Sequence, residues 1–397
     1  MAALLCSALL LLCAAGSPQP QCTMVQGYDL YGHDLLGPDG KPAPQPCPGG
    51  PAACCAMCSA KDPAEEPKGT CGAWSFNHGT STCWMKTQKG SHLVPNGDTS
   101  GYLPLMPPAR THMRLNTGQL MPFINLGGTS QAVRAGNHYS NYSEFLRIGG
   151  RGLDTALGYT DPINRQIAAA IKAHPEIARE ELFVTSKLPP AEIDTKNPEM
   201  NGTASQDMAK NNKLLGLEYT DLTLLHAPVS VGGKQSVEAT VQRWVELEAG
   251  LAAGLTKAIG VSNFGHELLA ALMKDPRTKV VPAVNQCNHA IANHNSSHAP
   301  LFGGDDATVK FCAAHGISYS AYSPLEGLHG GSVMKIPEVI AIGAAHNVSA
   351  AQVAFRWLIQ QNITAVTAAH VPEYIAEDVD VFHFELTAEE MATLTAI

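Results

Sequence analysis

The chain has 397 residues, a formal net charge of −9 and 45% hydrophobic residues. This length is typical of two domains, and the hydrophobic content suffices for a large core, which excludes a disordered chain. The negative balance provides no basic footprint of the kind that nucleic-acid binding requires. We therefore expect a folded two-domain protein without a nucleic-acid partner.

The first residues predict a secretory signal. An uncharged apolar run from Ala2 to Ala15 is followed by small residues and a proline, which is the pattern of a signal peptide over residues 1–16. The run is too short to cross a bilayer comfortably. We expect a cleaved signal, no membrane span, and a product that is secreted or resides in the endomembrane lumen. An uncleaved anchor is the alternative.

Cysteine is concentrated in the segment that follows. Seven of the 11 cysteines lie between Cys22 and Cys83, a density typical of a small disulfide-stabilised domain. A zinc site is the competing interpretation, but the segment lacks a second C-x-x-C pair and a pair of histidines to complete it. We expect disulfides, with one thiol of this odd set left free or paired outside the segment.

Several motifs in this segment resemble a PAN/apple domain: the stretches 27–35, 71–77, 83–86 and 100–102, together with a helix that carries Cys54 and Cys58. The resemblance implies a small disulfide-rich α+β domain over residues 17–105, in which a helix is stapled to an antiparallel sheet and the module binds a protein or a glycan. A purely structural cap is the alternative. The proline-rich residues 106–113 predict a linker.

From residue 114 to 397, short apolar and β-branched runs alternate with amphipathic helical patterns. Eight strands are predicted, at 123–126, 152–156, 182–186, 222–225, 258–261, 283–286, 318–321 and 365–367. Eight strands with intervening helices in a segment of this length favour a (β/α)8 TIM barrel. A doubly wound sheet is the alternative, but Leu126-Gly127-Gly128-Thr129 does not supply its glycine-rich turn.

Polar side chains occur at or near the carboxyl ends of three predicted strands, where barrels place their chemistry. They are Asp154, with Tyr159 five residues later, Lys187 and His226. Each alone has an ordinary structural interpretation. Together they form a proton-transfer set, because a buried ammonium that pairs with Asp154 would stabilise a Tyr159 phenolate. His226 would then donate a hydrogen bond to a polarised carbonyl oxygen.

This set and its surroundings closely resemble the aldo-keto reductase family. Matching stretches are 121–122, 126–129, 153–159, 181–188, 215–226, 258–264, 284–286, 321–325 and 384–387. The resemblance implies reduction of a small aldehyde or ketone by NADPH or NADH, without a metal. It makes Tyr159 the general acid, Lys187 its pKa-lowering partner, Asp154 the partner of Lys187, and His226 the group that orients the carbonyl.

The resemblance also implies a cofactor-binding set. Ser262, Asn263 and Gln286 would hold the nicotinamide carboxamide, and Tyr322 would stack on its ring. The set also includes Ser323, Leu325 and Glu377.

The sequence departs from the family where the 2′-phosphate of NADPH is usually held. Ala368, Ala369 and Tyr374 stand at the positions of a Lys-Ser pair and an Arg, and Asp378 stands at the position of an Asn. Losing two charge-assisted bonds would weaken NADPH binding by on the order of 10²- to 10⁴-fold, unless His370 or Arg356 compensates. The sequence is compatible with a preference for NADH, with weak binding of NADPH, or with a barrel that binds neither.

Two further alternatives stay open. His289, His294 and His298 lie close together in the sequence, but they lack the acidic or thiol ligand and the helical context that a metal site requires, so we expect no metal. The alternative function is that of a binding protein, in which a catalytically weak or inactive barrel carries an apple-like module that recognises a glycan or a protein.

Overall fold

The computed structural model describes residues 23–31, 45–59, 73–77, 81–86, 92–102, 111–128, 140–159, 161–190, 202–294, 296–297, 299–325 and 332–397. The chain divides into two compact units, Met1–Ala109 and Arg110–Ile397. The predicted signal peptide and most of the predicted linker lie outside the described residues. Among the helices described, none has the length and apolar character needed to cross a membrane.

The described residues of the first unit form one antiparallel sheet and one helix. The sheet has the order β1-β5-β3-β4-β2, and its strands are Thr23–Tyr31 (β1), Gln45–Pro46 (β2), Ala73–Asn77 (β3), Thr82–Lys86 (β4) and His92–Tyr102 (β5). A disulfide joins Cys54 of the helix Gly50–Ser59 (α1) to Cys83 of β4, and Cys47 has a free thiol. The likeness of this unit to a PAN/apple domain stays a prediction.

The second unit is a closed barrel of eight parallel strands, which confirms the predicted TIM barrel. Its strands are Ile124–Gly127 (β8), Gly152–Asp154 (β9), Phe183–Leu188 (β10), Leu222–Leu225 (β11), Ile259–Ser262 (β14), Val284–Asn288 (β15), Ser318–Tyr322 (β16) and Ile363–Thr367 (β17). All eight predicted strands are present, with ends that differ by a few residues. Ser230–Val231 (β12) and Lys234–Gln235 (β13) form a separate hairpin after β11.

Helices surround the barrel. They are Tyr142–Arg147 (α2), Asp161–Ala173 (α3), Ala204–Leu215 (α4), Val237–Ala252 (α5), His266–Lys274 (α6), Asp306–Ala314 (α7), Pro337–His346 (α8), Ala350–Gln360 (α9), Pro372–Val379 (α10) and Ala388–Thr395 (α11). Three of them begin with a capping box, in which the N-cap hydroxyl and the side chain three residues later satisfy each other's backbone N–H groups: Thr203 with Gln206, Ser349 with Gln352, and Thr387 with Glu390.

A hairpin closes the amino end of the barrel. Its strands are His112–Arg114 (β6) and Leu120–Pro122 (β7). Asn116 in its turn donates to the carbonyl oxygen of Pro282, and Gln119 donates to that of Asp221, two residues that precede barrel strands. The carboxyl ends of the strands at the other end of the barrel are therefore the place for chemistry.

Asn125 is accommodated inside the barrel by Gly152. The Asn125 amide donates to the carbonyl oxygen of Pro122 at 2.9 Å. A Cβ atom at Gly152 on the neighbouring strand would lie 2.1 Å from the Asn125 Oδ1 atom. The two positions therefore depend on each other, since a side chain at residue 152 would displace the Asn125 amide.

Candidate active site

Four side chains predicted as a proton-transfer set converge at the carboxyl ends of adjacent strands. Asp154 is the last residue of β9, Lys187 lies near the end of β10, and His226 follows β11 directly. Tyr159 lies in the loop after β9, and its ring centroid is 5.5 Å from the Lys187 ammonium and 5.7 Å from the His226 ring. The site thus brings together residues that are far apart in the sequence; Asp154 and His226 are separated by 72 positions.

Lys187 and Asp154 form a buried ion pair. Both residues are 2% exposed, and the ammonium donates to the Asp154 Oδ1 atom and, at 3.0 Å, to the carbonyl oxygen of Thr155. Burial alone would lower the pKa of Lys187, but the charges of Asp154 and Tyr159 and side-chain hydrogen bonds to both raise it above its ordinary value. Lys187 is therefore a permanent cation next to the Tyr159 hydroxyl.

Gln286 completes the environment of the carboxylate. Its amide nitrogen donates to the Asp154 Oδ2 atom at 2.9 Å, so each oxygen of the carboxylate accepts a hydrogen bond. This contact was not expected from the sequence, which suggested only a role for Gln286 in holding the nicotinamide. A primary amide has a second N–H and an oxygen, so the contact with Asp154 is compatible with that role.

Tyr159 is in the protonated state that a general acid needs. Burial raises its pKa, and this effect outweighs the opposing effect of the Lys187 charge, which lowers the pKa as the sequence analysis expected. The net pKa is above the ordinary value of about 10. Tyr159 therefore carries its proton at every physiological pH, and the adjacent ammonium is available to stabilise the phenolate that forms when the proton leaves.

His226 is electrically neutral. Burial, assisted by the positive charge of Lys187, lowers its pKa to about 3. A neutral imidazole can donate one N–H to a carbonyl oxygen. The two rings meet edge to face at an interplanar angle of 73°, so the histidine and the tyrosine border the same space.

Asn164 on α3, which was not among the residues predicted from the sequence, fixes the start of the loop that carries Tyr159. Its side chain accepts from the Thr155 hydroxyl at 2.9 Å and donates to the carbonyl oxygen of Ala156 at 3.3 Å. Asn164 is fully buried. The sequence signal for this role is an asparagine on the face of α3 that is otherwise apolar.

The residues assigned to the nicotinamide carboxamide form one hydrogen-bonded group. The Ser262 hydroxyl donates to the carbonyl oxygen of Gln286 at 2.7 Å. Asn263 donates to the carbonyl oxygen of His226 at 2.9 Å and accepts from the Tyr322 hydroxyl at 2.8 Å. These side chains come from β14, β15 and β16 and offer amide and hydroxyl groups beside the catalytic set, so their chemistry fits a carboxamide.

Two of the residues expected to bind the cofactor adopt a left-handed backbone. Asn263 has a φ of 64° and Ser323 a φ of 50°. Non-glycine residues in this region are uncommon, and they persist where surrounding contacts hold them, often at ligand sites. Leu325 lies on the same segment after β16, whereas Glu377 lies on α10, which follows β17.

Arg356, which could have compensated for the departure after β17, is engaged by other side chains. The guanidinium of Arg356 contacts Gln360 at 3.1 Å and Glu385 at 3.3 Å. Asp378 is buried and accepts from the Thr367 hydroxyl at 3.0 Å. Burial raises its pKa to about 7, against the lowering effect of that hydrogen bond. Its charge at neutral pH is therefore partial.

The histidine cluster makes internal contacts. His289 stacks on Trp357, and its Nδ1 atom is 2.7 Å from the carbonyl oxygen of Gly304. His294 contacts Asp306 at 3.0 Å, and His298 lies outside the described residues. Within the part of the chain that is described, His, Cys, Asp and Glu side chains form no group of three suited to a metal ion.

This chain is similar to known proteins in both sequence and fold. A model of the Aldo/keto reductase family matches residues 124–397. An aldo-keto reductase of Mycolicibacterium smegmatis is 35% identical over 291 residues, which cover 71% of this chain and 89% of that protein. Morphine 6-dehydrogenase of Pseudomonas putida is 34% identical over 292 residues, which cover 71% and 89%.

The structure of the aldose reductase from Schistosoma japonicum matches with a TM-score of 0.58 at 26% identity, and the match covers 72% of this chain and 91% of that one. The family match and the barrel lead to one conclusion: this chain belongs to the aldo/keto reductase family.

Proposed function

We propose that the barrel reduces small aldehydes or ketones to alcohols with a nicotinamide dinucleotide. The observation that supports this most strongly is the buried Lys187–Asp154 pair beside the Tyr159 hydroxyl and a neutral His226. An ion pair buried at the carboxyl end of a barrel has little structural purpose, since an apolar pair of similar volume is often as stable there. Family membership supports the same reaction class.

Each residue has a defined task in this reaction. A bound dinucleotide supplies the hydride for the carbonyl carbon. Tyr159 gives its hydroxyl proton to the carbonyl oxygen, and Lys187 stabilises the resulting phenolate until solvent returns a proton. His226 donates an N–H to the carbonyl oxygen and so fixes its position. Asp154 and Gln286 hold the ammonium in place.

The preferred dinucleotide follows from the departure after β17. Ala368 and Ala369 carry no charge, Tyr374 is exposed, and the Arg356 guanidinium is engaged by Gln360 and Glu385. The partly charged Asp378 also disfavours a phosphate nearby. We therefore propose NADH as the better ligand.

For the first unit we propose a secretory compartment and a binding role. The disulfide between Cys54 and Cys83 supports an oxidising environment. The helix attached to an antiparallel sheet is compatible with an apple-like module, and the ligand would be a protein or a glycan.

Replacing Tyr159 with Phe removes the proton donor and keeps the ring. We expect kcat for aldehyde reduction to fall by about 10²- to 10⁴-fold, with the Kd for NADH within about twofold of the parent, as measured by steady-state kinetics and calorimetric titration. Tyr219→Phe is the matched control, because Tyr219 lies before β11 at the amino end of the barrel. Turnover that survives Tyr159→Phe unchanged would exclude this tyrosine as the acid.

The pH dependence of reduction should be flat through the neutral range. His226, with a pKa of about 3, stays neutral, and Tyr159 stays protonated because its pKa is raised. We expect kcat/KM to be constant between about pH 5 and pH 9 and to fall at higher pH as Tyr159 loses its proton. An inflection near pH 6.5 that disappears in His226→Asn would contradict the assignment of a neutral histidine.

Dinucleotide preference is testable by gain of function. We expect NADH to bind more tightly than NADPH, and the double variant Ala368→Lys with Tyr374→Arg to tighten NADPH binding at least about tenfold while NADH changes little. Ala392→Lys, on the exposed side of α11, is the control for added charge. Calorimetric titration measures the affinity of all three proteins for both dinucleotides. Tighter NADPH binding by the parent chain would mean that another cation holds the phosphate.

A further inference from the structure

The Tyr142 hydroxyl is buried without a hydrogen-bond partner among the described residues. Tyr142 is the first residue of α2 and is 3% exposed, and its hydroxyl contacts no acceptor or donor in hydrogen-bonding geometry. Most buried hydroxyls in proteins are hydrogen-bonded, and those that are not require an explanation, such as a functional role.

This hydroxyl lies at the carboxyl end of β8, beside the catalytic set. A Cβ atom at Gly128 would be 2.5 Å from the Tyr142 hydroxyl, and a Cβ atom at Gly127 would be 3.5 Å from the Asp154 Oδ1 atom. Gly127 also pairs with Asp154 across β8 and β9. Gly128 thus lies next to the Tyr142 hydroxyl, and Gly127 lies next to the Asp154 carboxylate.

The neighbours of Tyr142 hold it in place but do not satisfy it. Ser140 lowers the pKa of the Tyr142 hydroxyl through a side-chain interaction, but the two hydroxyls do not meet in hydrogen-bonding geometry. The Ser140 hydroxyl donates instead to the carbonyl oxygen of Gly127 at 2.6 Å. The Asn141 backbone N–H donates to the carbonyl oxygen of Ala369 at 3.0 Å. The start of α2 is therefore fixed against the segment that follows β17.

Tyr142 is available as a donor. Burial raises its pKa, and the nearby groups Asp154 and Tyr159 raise it further. Its hydroxyl consequently keeps its proton, and a ligand oxygen is the natural acceptor.

The strand order indicates which ligand provides that oxygen. Tyr159 and His226, which receive the carbonyl, follow β9 and β11. Tyr142 lies instead beside the end of β8, and the residue before it, Asn141, is hydrogen-bonded to Ala369 after β17. The rest of a dinucleotide must extend away from the carbonyl. The residues that stand where the family holds the 2′-phosphate, Ala368, Ala369 and Tyr374, follow β17, so the dinucleotide is expected to pass the side of β8 and β17.

We propose that the Tyr142 hydroxyl donates a hydrogen bond to an oxygen of the bound dinucleotide, a ribose hydroxyl or a phosphate oxygen. This inference rests on the proposed function. It makes Tyr142 a cofactor-binding residue that is held ready by Gly128, since any side chain at residue 128 would occupy the place of the hydroxyl.

The test is Tyr142→Phe, with two readouts. Removing an unpartnered buried hydroxyl should leave the thermal unfolding midpoint of the protein without added dinucleotide unchanged or higher. Removing a ligand contact should raise the Kd for NADH by about three- to tenfold in calorimetric titration. Gly128→Ala is a second variant, because its methyl group displaces the hydroxyl, and it should weaken NADH binding to a similar degree.

Tyr319→Phe is the matched control. The Tyr319 hydroxyl is also buried but donates to the carbonyl oxygen of Gly303 at 2.7 Å. We expect this variant to unfold at a lower temperature and to bind NADH with the parent affinity. The two tyrosines should therefore show opposite patterns of stability and affinity.

The outcomes separate this inference from the proposed function. If the parent binds NADH and Tyr142→Phe binds it equally well, the inference is wrong and the reductase assignment stands. If Tyr142→Phe raises only the KM for the carbonyl, the hydroxyl faces the substrate and the inference is also wrong. If Tyr142→Phe destabilises the protein as Tyr319→Phe does, the hydroxyl already has a partner. If the parent binds neither NADH nor NADPH, the proposed function and the inference fail together.

Discussion

An ammonium group can be buried between barrel strands only if a carboxylate is buried with it, and this requirement organises the site. Lys187 cannot stay charged at 2% exposure without Asp154, because desolvation would otherwise remove its proton. The Asp154 carboxylate in turn needs a hydrogen-bond donor at each oxygen. Lys187 supplies the first, and Gln286 supplies the second from across the barrel. In the proposed reaction, the resulting positive charge would allow Tyr159, whose own burial raises its pKa, to release a proton. The closed barrel is the scaffold that brings these strand ends within reach of one another.

Two polar side chains of the barrel lie where a neighbouring glycine leaves room for them. Asn125 occupies barrel space that Gly152 leaves open, and the Tyr142 hydroxyl occupies the place of a side chain at Gly128. In both pairs the larger residue brings a polar group to a position that a side chain in place of the glycine would fill. The first pair lies within the barrel and hydrogen-bonds to backbone. The second ends at the site, with a hydroxyl that the protein itself does not satisfy.

The barrel and the proton-transfer set are predictable from the sequence, because both depend on local signals. Apolar β-branched runs indicate the strands, and a polar residue such as Lys187 at the end of such a run is costly unless it has a function. The contacts that complete the site are not local. The hydrogen bond from Gln286 to Asp154 joins residues 132 positions apart, and Asp378, which the sequence suggested would face the cofactor, is buried against Thr367. Such pairs depend on strand register and helix placement, which hydrophobic periodicity does not encode.

Hydride transfer from a dinucleotide to a carbonyl carbon can be followed with an isotope. An aromatic aldehyde would be reduced by NADH that is deuterated at both C4 positions, and the alcohol analysed by mass spectrometry. We expect one deuterium on the former carbonyl carbon for the parent chain. We expect Lys187→Met to form the same labelled product at a rate lower by orders of magnitude. Alcohol without deuterium, or no alcohol from a chain that binds NADH, would mean that this barrel does not transfer the hydride.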